Sequence, residues 1–538
     1  MKASGAMSKI AIGYLLLPIA IFVGLWMEWY FAVPLIGLII YSSYWIYKQD
    51  IKTRFPTRRY ILIGLGLSIL LAGTTPASSF FQHGNWDWLK HRATFLELNQ
   101  GDRFYIDDSP VEYSEILTEE EVEVYSGDLL HKFYFAYYLV PTTISPNIYV
   151  LNFAILLWTV LGVFLIILLL YPLVITFNNK TLPVILIFLT GPPVLGLIFS
   201  IGFTFPCKKA ISFVTSESCG TQIPWATELT AQYTALSYVP HQFIPAAIAI
   251  LLLYTLRKTE FINKIFALLL GTVVLWSPFV SLGLFLFLPL ILKFEKSCTV
   301  IGCYCEGYKW IFQAIRRNTL LLLTPQNILG AILGGVFTLF MVTGTENHIP
   351  FFFLWEKLNL APDYTGWTSL LRWWVAFYSI VLLWIYLSSL HPKTRKSKWY
   401  IYSVAIVLIL PLFISYGLFN EIVMRTTLPA MFIIGIFAAN NLKLDIKRIL
   451  GYQLYLLLIV GSALVISIST ISYAKWVPLW EEKYYLSQAM NHSSIRSFTG
   501  QDEWDDEILL QMKEFEFSML RQYIVTDPPF YYPILFRY

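Results

Sequence analysis

Charged side chains are scarce in this chain of 538 residues, at 13% of the total, whereas soluble domains carry about a quarter. Hydrophobic residues make up 57% and aromatic residues 17%. This composition excludes intrinsic disorder, a collagen or coiled-coil fibre and a small disulfide scaffold. The net charge of +4, from 38 basic and 34 acidic residues, gives no reason to expect a nucleic-acid partner.

Motifs typical of several enzyme classes are also missing. The sequence contains no Walker A loop, no Rossmann fingerprint, no H-E-x-x-H and no G-x-S-x-G. ATP hydrolysis, dehydrogenation, zinc proteolysis and serine-elbow hydrolysis therefore find no support. The chain also lacks two matching halves with paired interrupted helices, which would point to a secondary transporter.

Long apolar runs recur from one end of the chain to the other. Since helices satisfy the backbone hydrogen bonds that lipid cannot, each run of about 20 apolar residues predicts a membrane-spanning helix. The predicted fold class is an all-α polytopic membrane protein with about 13 such helices. The spans are 10–27, 31–47, 60–74, 147–171, 182–203, 239–256, 264–276, 278–292, 326–344, 367–389, 398–416, 427–440 and 450–472.

Basic residues in five short loops predict the orientation, because cytoplasmic loops carry an excess of Lys and Arg. All five are cytoplasmic only if the N-terminus is cytoplasmic and 264–292 is a hairpin, broken at Trp276-Ser277-Pro278 because proline interrupts helices. The C-terminus is then extracytoplasmic. The five loops are 48–59, 257–264, 293–317, 393–398 and 443–448.

This topology divides the chain into four parts and gathers its hydrophilic residues on the extracytoplasmic face. A functional site is therefore predicted on this face, covered by the loops and the C-terminal segment. The parts are N-terminal transmembrane helices 1–74, a first large outer loop 75–146, a transmembrane core 147–472 with outer loops 204–238 and 345–366, and an extracytoplasmic C-terminal segment 473–538.

Only five cysteines are present, and the predicted topology separates them. Cys207 and Cys219 fall in an outer loop, where an oxidising compartment would permit a disulfide between them. Cys298, Cys303 and Cys305 fall in an inner loop and are expected to stay reduced. Their C-x4-C-x-C spacing lacks the C-x-x-C pairs of a zinc site.

The first candidate site lies near the start of loop 75–146. Asp87 stands between Trp86 and Trp88, and partly apolar surroundings raise the basicity of a carboxylate, as a general base requires. Lys90 and His91 follow on the next helical turn and could hold a phosphate. The alternative is an interfacial aromatic belt with ordinary charges reaching for water.

The second candidate is a tight outer turn between two spans. Glu421 and Arg425 are four residues apart, so on a helix they share a face and can pair. Charged residues at a membrane boundary are costly and suggest a function. The alternative is a salt bridge that only orients the two spans.

Two further outer segments carry polar and aromatic groups. His241 and Gln242 open a predicted span and could position a polar headgroup or a sugar, although a lone interfacial histidine is more often structural. Tyr134, Tyr137 and Tyr138 indicate a helix lying along the membrane interface.

Four motifs of this sequence, taken together, resemble those of the GT-C superfamily of membrane glycosyltransferases, and in particular a bacterial branch with an outer-loop D-W-x-K-H motif. The resemblance covers roughly residues 75–430. It depends on the order of the motifs along the chain and on their predicted location on the same side of the membrane. The motifs are Asp87-Trp88-Leu89-Lys90-His91, Gln232-Tyr233 with Pro240-His241-Gln242, Trp276-Ser277-Pro278-Phe279, and Gly417-Leu418-Phe419-Asn420-Glu421 with Met424-Arg425.

The resemblance implies transfer of a sugar from a polyprenyl-phosphate or polyprenyl-pyrophosphate donor to an acceptor hydroxyl, with inversion, on the extracytoplasmic face. Asp87 would be the base. Lys90, His91 and Arg425 would bind the donor phosphate. Glu421 and His241 would line the cavity, and Trp88 would contact the substrate. The expected location is the bacterial inner membrane, with the active face periplasmic.

Partners and cofactors follow from this expectation. The acceptor would be a glycan, a lipid or a protein, and the outer-loop carboxylates could ligate Mg²⁺ or Mn²⁺. One alternative is a transporter or flippase of lipid-linked intermediates, although the spans contain few of the charges that a polar path requires. Another is a non-catalytic scaffold of an envelope or secretion complex, in which 473–538 would dock a protein partner.

Overall fold

The structure is a computed structural model in which part of the chain is described. The described part comprises residues 5–51, 53–75, 82–83, 98, 105–106, 129–131, 134–145, 147–174, 184–185, 187–188, 232–288, 318–342, 351–353, 398–409, 414–416, 421–441, 474–475, 524–525 and 532–536.

The described residues are predominantly helical. Their helices are α1 (Ala6–Trp26), α2 (Trp29–Lys48), α3 (Arg58–Gly73), α4 (Ala136–Thr142), α5 (Ile148–Leu170), α6 (Gln232–Tyr238), α7 (Pro240–Leu256), α8 (Glu260–Val274), α9 (Pro278–Phe285), α10 (Pro325–Val342), α11 (Lys398–Ile409), α12 (Glu421–Thr426), α13 (Leu428–Asn441) and α14 (Tyr532–Leu535).

Short antiparallel strands join segments that are distant in sequence. The strands are β1 (Gln82–His83), β2 (Tyr105–Ile106), β3 (Leu129–His131), β4 (Phe351–Phe353), β5 (Ile414–Tyr416), β6 (Ala474–Lys475) and β7 (Ile524–Val525). β1 pairs with β6, β3 lies between β2 and β7, and β4 pairs with β5. The first large loop and the C-terminal segment, both predicted to be extracytoplasmic, therefore pair with each other.

Four of the described helices are long and apolar enough to cross a membrane, namely Ala6–Trp26, Trp29–Lys48, Val150–Leu170 and Pro325–Val342. Most of the other predicted spans coincide with shorter helices. The predicted spans 367–389 and 450–472, and most of 182–203, lie outside the described residues.

The predicted break at Trp276-Ser277-Pro278 is confirmed. Ser277 caps α9, because its hydroxyl accepts a hydrogen bond from the Val280 amide at 3.4 Å. Ser281 then donates back across the turn to the Leu270 carbonyl at 2.9 Å. The start of α9 therefore packs back against the last turns of α8, and the membrane hairpin stays a prediction.

The C-terminal end of the described chain packs on the turn between α1 and α2. The Glu28 amide donates to the Leu535 carbonyl at 3.1 Å, and the Tyr30 hydroxyl donates to the Ile534 carbonyl at 2.7 Å. Phe536 is fully buried and its ring lies 5.5 Å from that of Phe340. This end of the C-terminal segment is thus part of the core.

Side-chain donors aimed at backbone carbonyls link the apolar helices. Such bonds fix how far one helix is shifted along the other, because each bond needs one donor opposite one carbonyl. Aliphatic packing alone does not fix this position. Examples are Tyr14 to Trp158 at 3.2 Å, Tyr60 to Ile167 at 2.8 Å, Trp276 to Leu15 at 3.3 Å and Thr324 to Lys264 at 2.7 Å.

Asn327 makes the most extensive of these links. Its Oδ1 accepts from the Ala267 amide at 2.8 Å, and its Nδ2 donates to the Asn263 and Leu322 carbonyls at 2.7 and 2.8 Å. Ala267 N–H and Asn263 C=O are the two groups that an uninterrupted helix would bond to each other. The amide of Asn327 therefore bonds to both backbone groups of one step in the hydrogen-bond ladder of α8.

Glycines let α8 and α10 approach to backbone contact. A Cβ atom at Gly330 would overlap the Ala267 carbonyl group, and one at Gly271 would overlap the Gly330 carbonyl. Small residues at such crossings are typical of packed membrane helices. Because of the two glycines and Asn327, α8 and α10 are the most closely packed helix pair of the described core.

We expect Gly330→Ala to lower the free energy of unfolding by about 1–3 kcal/mol, since the added methyl must push two backbones apart. Gly335→Ala is the matched control on the same helix, because no heavy atom lies within 4 Å of its Cβ position. The measurement is unfolding in detergent micelles followed by tryptophan fluorescence. Equal stability of the two variants would contradict the close contact.

Candidate functional site

Three of the four motif-bearing segments meet in one buried polar cluster, which we call the Arg425 cluster. Its members are Tyr134, His241, Gln242, Phe279 and Arg425. They come from the residues just before α4 and from α7, α9 and α12. The cluster lies where the ends of these helices meet, beside the turn from α6 into α7.

Local sequence sets the position of His241. Pro240 occupies the first position of α7, where its fixed φ and missing N–H suit a helix start. His241 and Gln242 therefore lie in the first turn of α7. Both side chains are buried, with His241 only 1% exposed.

Arg425 is positioned by a break between α12 and α13. Pro429 has no N–H to bond to the Arg425 carbonyl, so a continuous helix is interrupted there. The hydroxyl of Thr427 instead donates to the Val423 carbonyl at 2.7 Å. Gly283 brings α9 against this break, because a Cβ atom there would overlap the Thr426 carbonyl.

The guanidinium of Arg425 is held among aromatic rings. Its side chain is 7% exposed, and Nη1 donates to the Tyr134 hydroxyl at 2.7 Å. Its Cζ lies 5.2 Å from the centre of the Tyr134 ring and 5.8 Å from that of Phe279. Both distances suit a cation–π interaction, which strengthens as the cation is desolvated.

The imidazole of His241 stacks on the ring of Tyr134. The two rings are nearly parallel, 16° apart, with centres separated by 5.6 Å. Nε2 of His241 lies 2.9 Å from the Gln242 amide nitrogen. The imidazole of His241 and the side-chain amide of Gln242 therefore form a hydrogen bond within the first turn of α7.

Polar groups of α6 lie next to the start of α7. Tyr233 donates to the Thr74 hydroxyl at 3.0 Å, which attaches α6 to the end of α3. Burial raises the pKa of the Tyr233 phenol, and its hydrogen bond with Thr74 opposes part of this rise. The phenol therefore stays protonated at physiological pH and remains a donor.

Two buried amide oxygens at this junction have no hydrogen-bond partner within the described residues. They are Oε1 of Gln232 and Oε1 of Gln242. A buried polar atom without a partner is costly, roughly 1–3 kcal/mol. Each could accept a hydrogen bond from a hydroxyl group, such as that of a sugar.

The structure brings together two of the predicted site residues, His241 and Arg425, through Tyr134. Tyr134 was predicted only as part of an interfacial helix, and the aromatic spacing gave no sign of its contact with Arg425. Glu421 begins α12, but its side chain lies outside the described residues, so its pairing with Arg425 stays a prediction. Asp87, Trp88, Lys90, His91, Cys207 and Cys219 also lie outside them.

A metal centre does not emerge from the described side chains. Within this part of the chain, no group of three or more His, Cys, Asp or Glu could hold a metal ion. The outer-loop carboxylates predicted as possible ligands of Mg²⁺ or Mn²⁺ lie outside the described residues. The chemistry of the Arg425 cluster is instead that of a buried guanidinium, an imidazole and hydroxyl and amide groups.

The bond between Arg425 and Tyr134 can be tested with a double-mutant cycle of Tyr134→Phe and Arg425→Gln. We expect a coupling energy of about 1.5–3 kcal/mol, because hydrogen bonds to charged groups are strong. The measurement is the free energy of unfolding of the wild type, both single variants and the double variant.

Tyr60→Phe is the matched control for this cycle. Tyr60 is also buried and also donates a hydrogen bond, but to Ile167 on α5. Its effect should add to that of Arg425→Gln within about 0.5 kcal/mol. Additivity of Tyr134→Phe as well would show that the two groups do not interact in solution.

Comparison with known proteins identifies no relative for this chain. No protein-family model matches it, and neither does any curated protein. No solved structure matches it either. The function is therefore argued from the Arg425 cluster and from the sequence motifs that converge on it.

Proposed function

We propose that the chain is a multi-pass membrane glycosyltransferase. It would transfer a sugar from a polyprenyl-phosphate-linked donor to an acceptor hydroxyl on the extracytoplasmic face of the bacterial inner membrane. The proposal includes about 13 spans, a cytoplasmic N-terminus and a GT-C-like arrangement of helices. It draws on the sequence motifs and on the Arg425 cluster.

The observation that carries the proposal is the buried guanidinium of Arg425 among aromatic rings. Arginine binds phosphate with several N–H groups in a fixed geometry, and a buried cation attracts an anion more strongly than an exposed one. The cluster lies at the ends of apolar helices, so a lipid phosphate could reach Arg425 while its isoprenoid tail stays between helices.

The rest of the cluster suits a sugar. The ring of Phe279 is partly exposed and could stack on a sugar ring, and the amide oxygens of Gln232 and Gln242 could accept from sugar hydroxyls. A donor phosphate at Arg425 and its sugar could then be bound side by side.

The proposed reaction is a single displacement at the anomeric carbon. Asp87 removes the proton of the acceptor hydroxyl as that oxygen bonds to the anomeric carbon, and the bond from this carbon to the phosphate oxygen breaks. The electron pair leaves with the lipid phosphate, whose growing negative charge Arg425 stabilises. β1 pairs residues of the first large loop with β6 of the C-terminal segment, as expected if both belong to one structure on the outer face.

Sugar transfer from a panel of polyprenyl-phosphate sugars tests the proposal with purified full-length protein. We expect transfer by the wild type and a loss of at least about a hundredfold in Asp87→Asn, since general bases contribute that much. Arg425→Lys keeps the charge but not the planar set of donors, so we expect slower transfer in that variant as well.

Asp50→Asn is the control, because Asp50 is an exposed carboxylate at the opposite end of α2 from the C-terminal contact. It should transfer sugar at the wild-type rate, and all variants must unfold at the wild-type temperature. If folded Asp87→Asn still transfers sugar, another residue is the general base, and Glu421 is the next candidate. No transfer from any donor would argue against the enzyme and for a transporter or scaffold.

A further inference from the structure

A second site lies at the far end of the first helical hairpin, where α1 begins and α2 ends. A cleft of about 710 Å³ is open here between the two helices, within the size range of ligand pockets, roughly 300–1,000 Å³. Both helices are candidate membrane spans. The cleft is therefore placed at a membrane surface, away from the Arg425 cluster.

The mouth of the cleft is cationic. Lys9 and Lys48 both line it. Lys9 donates to the Tyr47 carbonyl at 2.7 Å and lies 5.4 Å from the Tyr47 ring centre. Lys48 lies 5.3 Å from the centre of the Tyr44 ring, so aromatic contacts hold both ammonium groups near the cleft.

The floor of the cleft is apolar. Ile12 and Leu16 of α1 and Ile46 of α2 line it. From Lys9 to Leu16 the cleft follows α1 for about 10 Å towards the membrane interior, at 1.5 Å per residue. Gly13 leaves the cleft open, because no heavy atom lies within 4 Å of its Cβ position.

The charge around the cleft favours an anion. The residues from Lys48 to Arg59 include several basic side chains and one acidic one, Asp50. The charge pattern predicts that this end faces the cytoplasm, where the membrane surface carries anionic lipids and each nearby Lys or Arg contributes about 1 kcal/mol.

We propose that this cleft binds an anionic phospholipid. The phosphate lies between Lys9 and Lys48, and the upper part of an acyl chain lies over Gly13 against Ile12 and Leu16. An isolated lysine at the membrane interface usually extends its ammonium group into water and binds no ligand. Here, by contrast, two lysines share one cleft whose floor is apolar, which matches both parts of a phospholipid.

The test uses delipidated full-length protein in detergent, titrated with phosphatidylglycerol or with phosphatidylcholine of the same acyl chains. Native mass spectrometry counts the bound lipids. We expect the wild type to prefer phosphatidylglycerol. Lys9→Gln with Lys48→Gln should weaken that binding about thirtyfold, since two lysines are removed. Phosphatidylcholine has no net charge, so its binding should weaken less, and the preference for phosphatidylglycerol should be lost.

Gly13→Leu tests the apolar floor without removing any charge. The leucine fills open space, so the fold is retained while lipid binding falls for both lipids. Gly24→Leu and Lys258→Gln are the matched controls, because Gly24 is equally unobstructed on α1 and Lys258 is an exposed lysine that does not line the cleft. Both controls should bind phosphatidylglycerol like the wild type.

Three results would overturn the proposal. The first is an unchanged lipid preference in the double lysine variant, and the second is wild-type binding by Gly13→Leu. The third is tighter binding of polyprenyl phosphate than of phosphatidylglycerol, which would assign the cleft to the donor lipid. The outcome does not depend on whether the chain transfers sugar.

Discussion

Hydrogen bonds from side chains to backbone carbonyls are the constraint on which the helix packing depends. The core is almost wholly aliphatic and aromatic, so burial drives the helices together but does not choose among registers. Tyr14, Tyr60 and Trp276 each donate to a carbonyl of another helix. Because a buried donor without an acceptor is costly, each of these bonds excludes the neighbouring registers.

The need of buried donors for acceptors also applies to the Arg425 cluster. The buried guanidinium of Arg425 donates one of its N–H groups to Tyr134 and lies near the rings of Tyr134 and Phe279, and these contacts help to stabilise the charge. The break at Pro429 and the close approach at Gly283 place it there. A cation fixed in this way is preorganised, since little rearrangement is needed when an anionic group arrives.

Much of the helical framework could be predicted from the sequence, because run length and proline are local signals. The predicted span 31–47 corresponds to Trp29–Lys48, and Ser277-Pro278 marked the hairpin turn. The contact of Tyr134 with Arg425, 291 residues apart, could not be predicted, since no local pattern encodes which distant side chains meet. The predicted base Asp87 stays a prediction, because it lies outside the described residues.

The contact of Asn327 with α8 has a consequence for how the protein is made. Ala267 leaves the ribosome 60 residues before Asn327, so α8 must first exist without its partner. At that stage its own ladder can close, with Ala267 bonded to Asn263. The bonds of Asn327 to both groups form only after α10 has been made. The backbone of α8 therefore does not need α10 to satisfy its hydrogen bonds during synthesis, and the contact with Asn327 can form late.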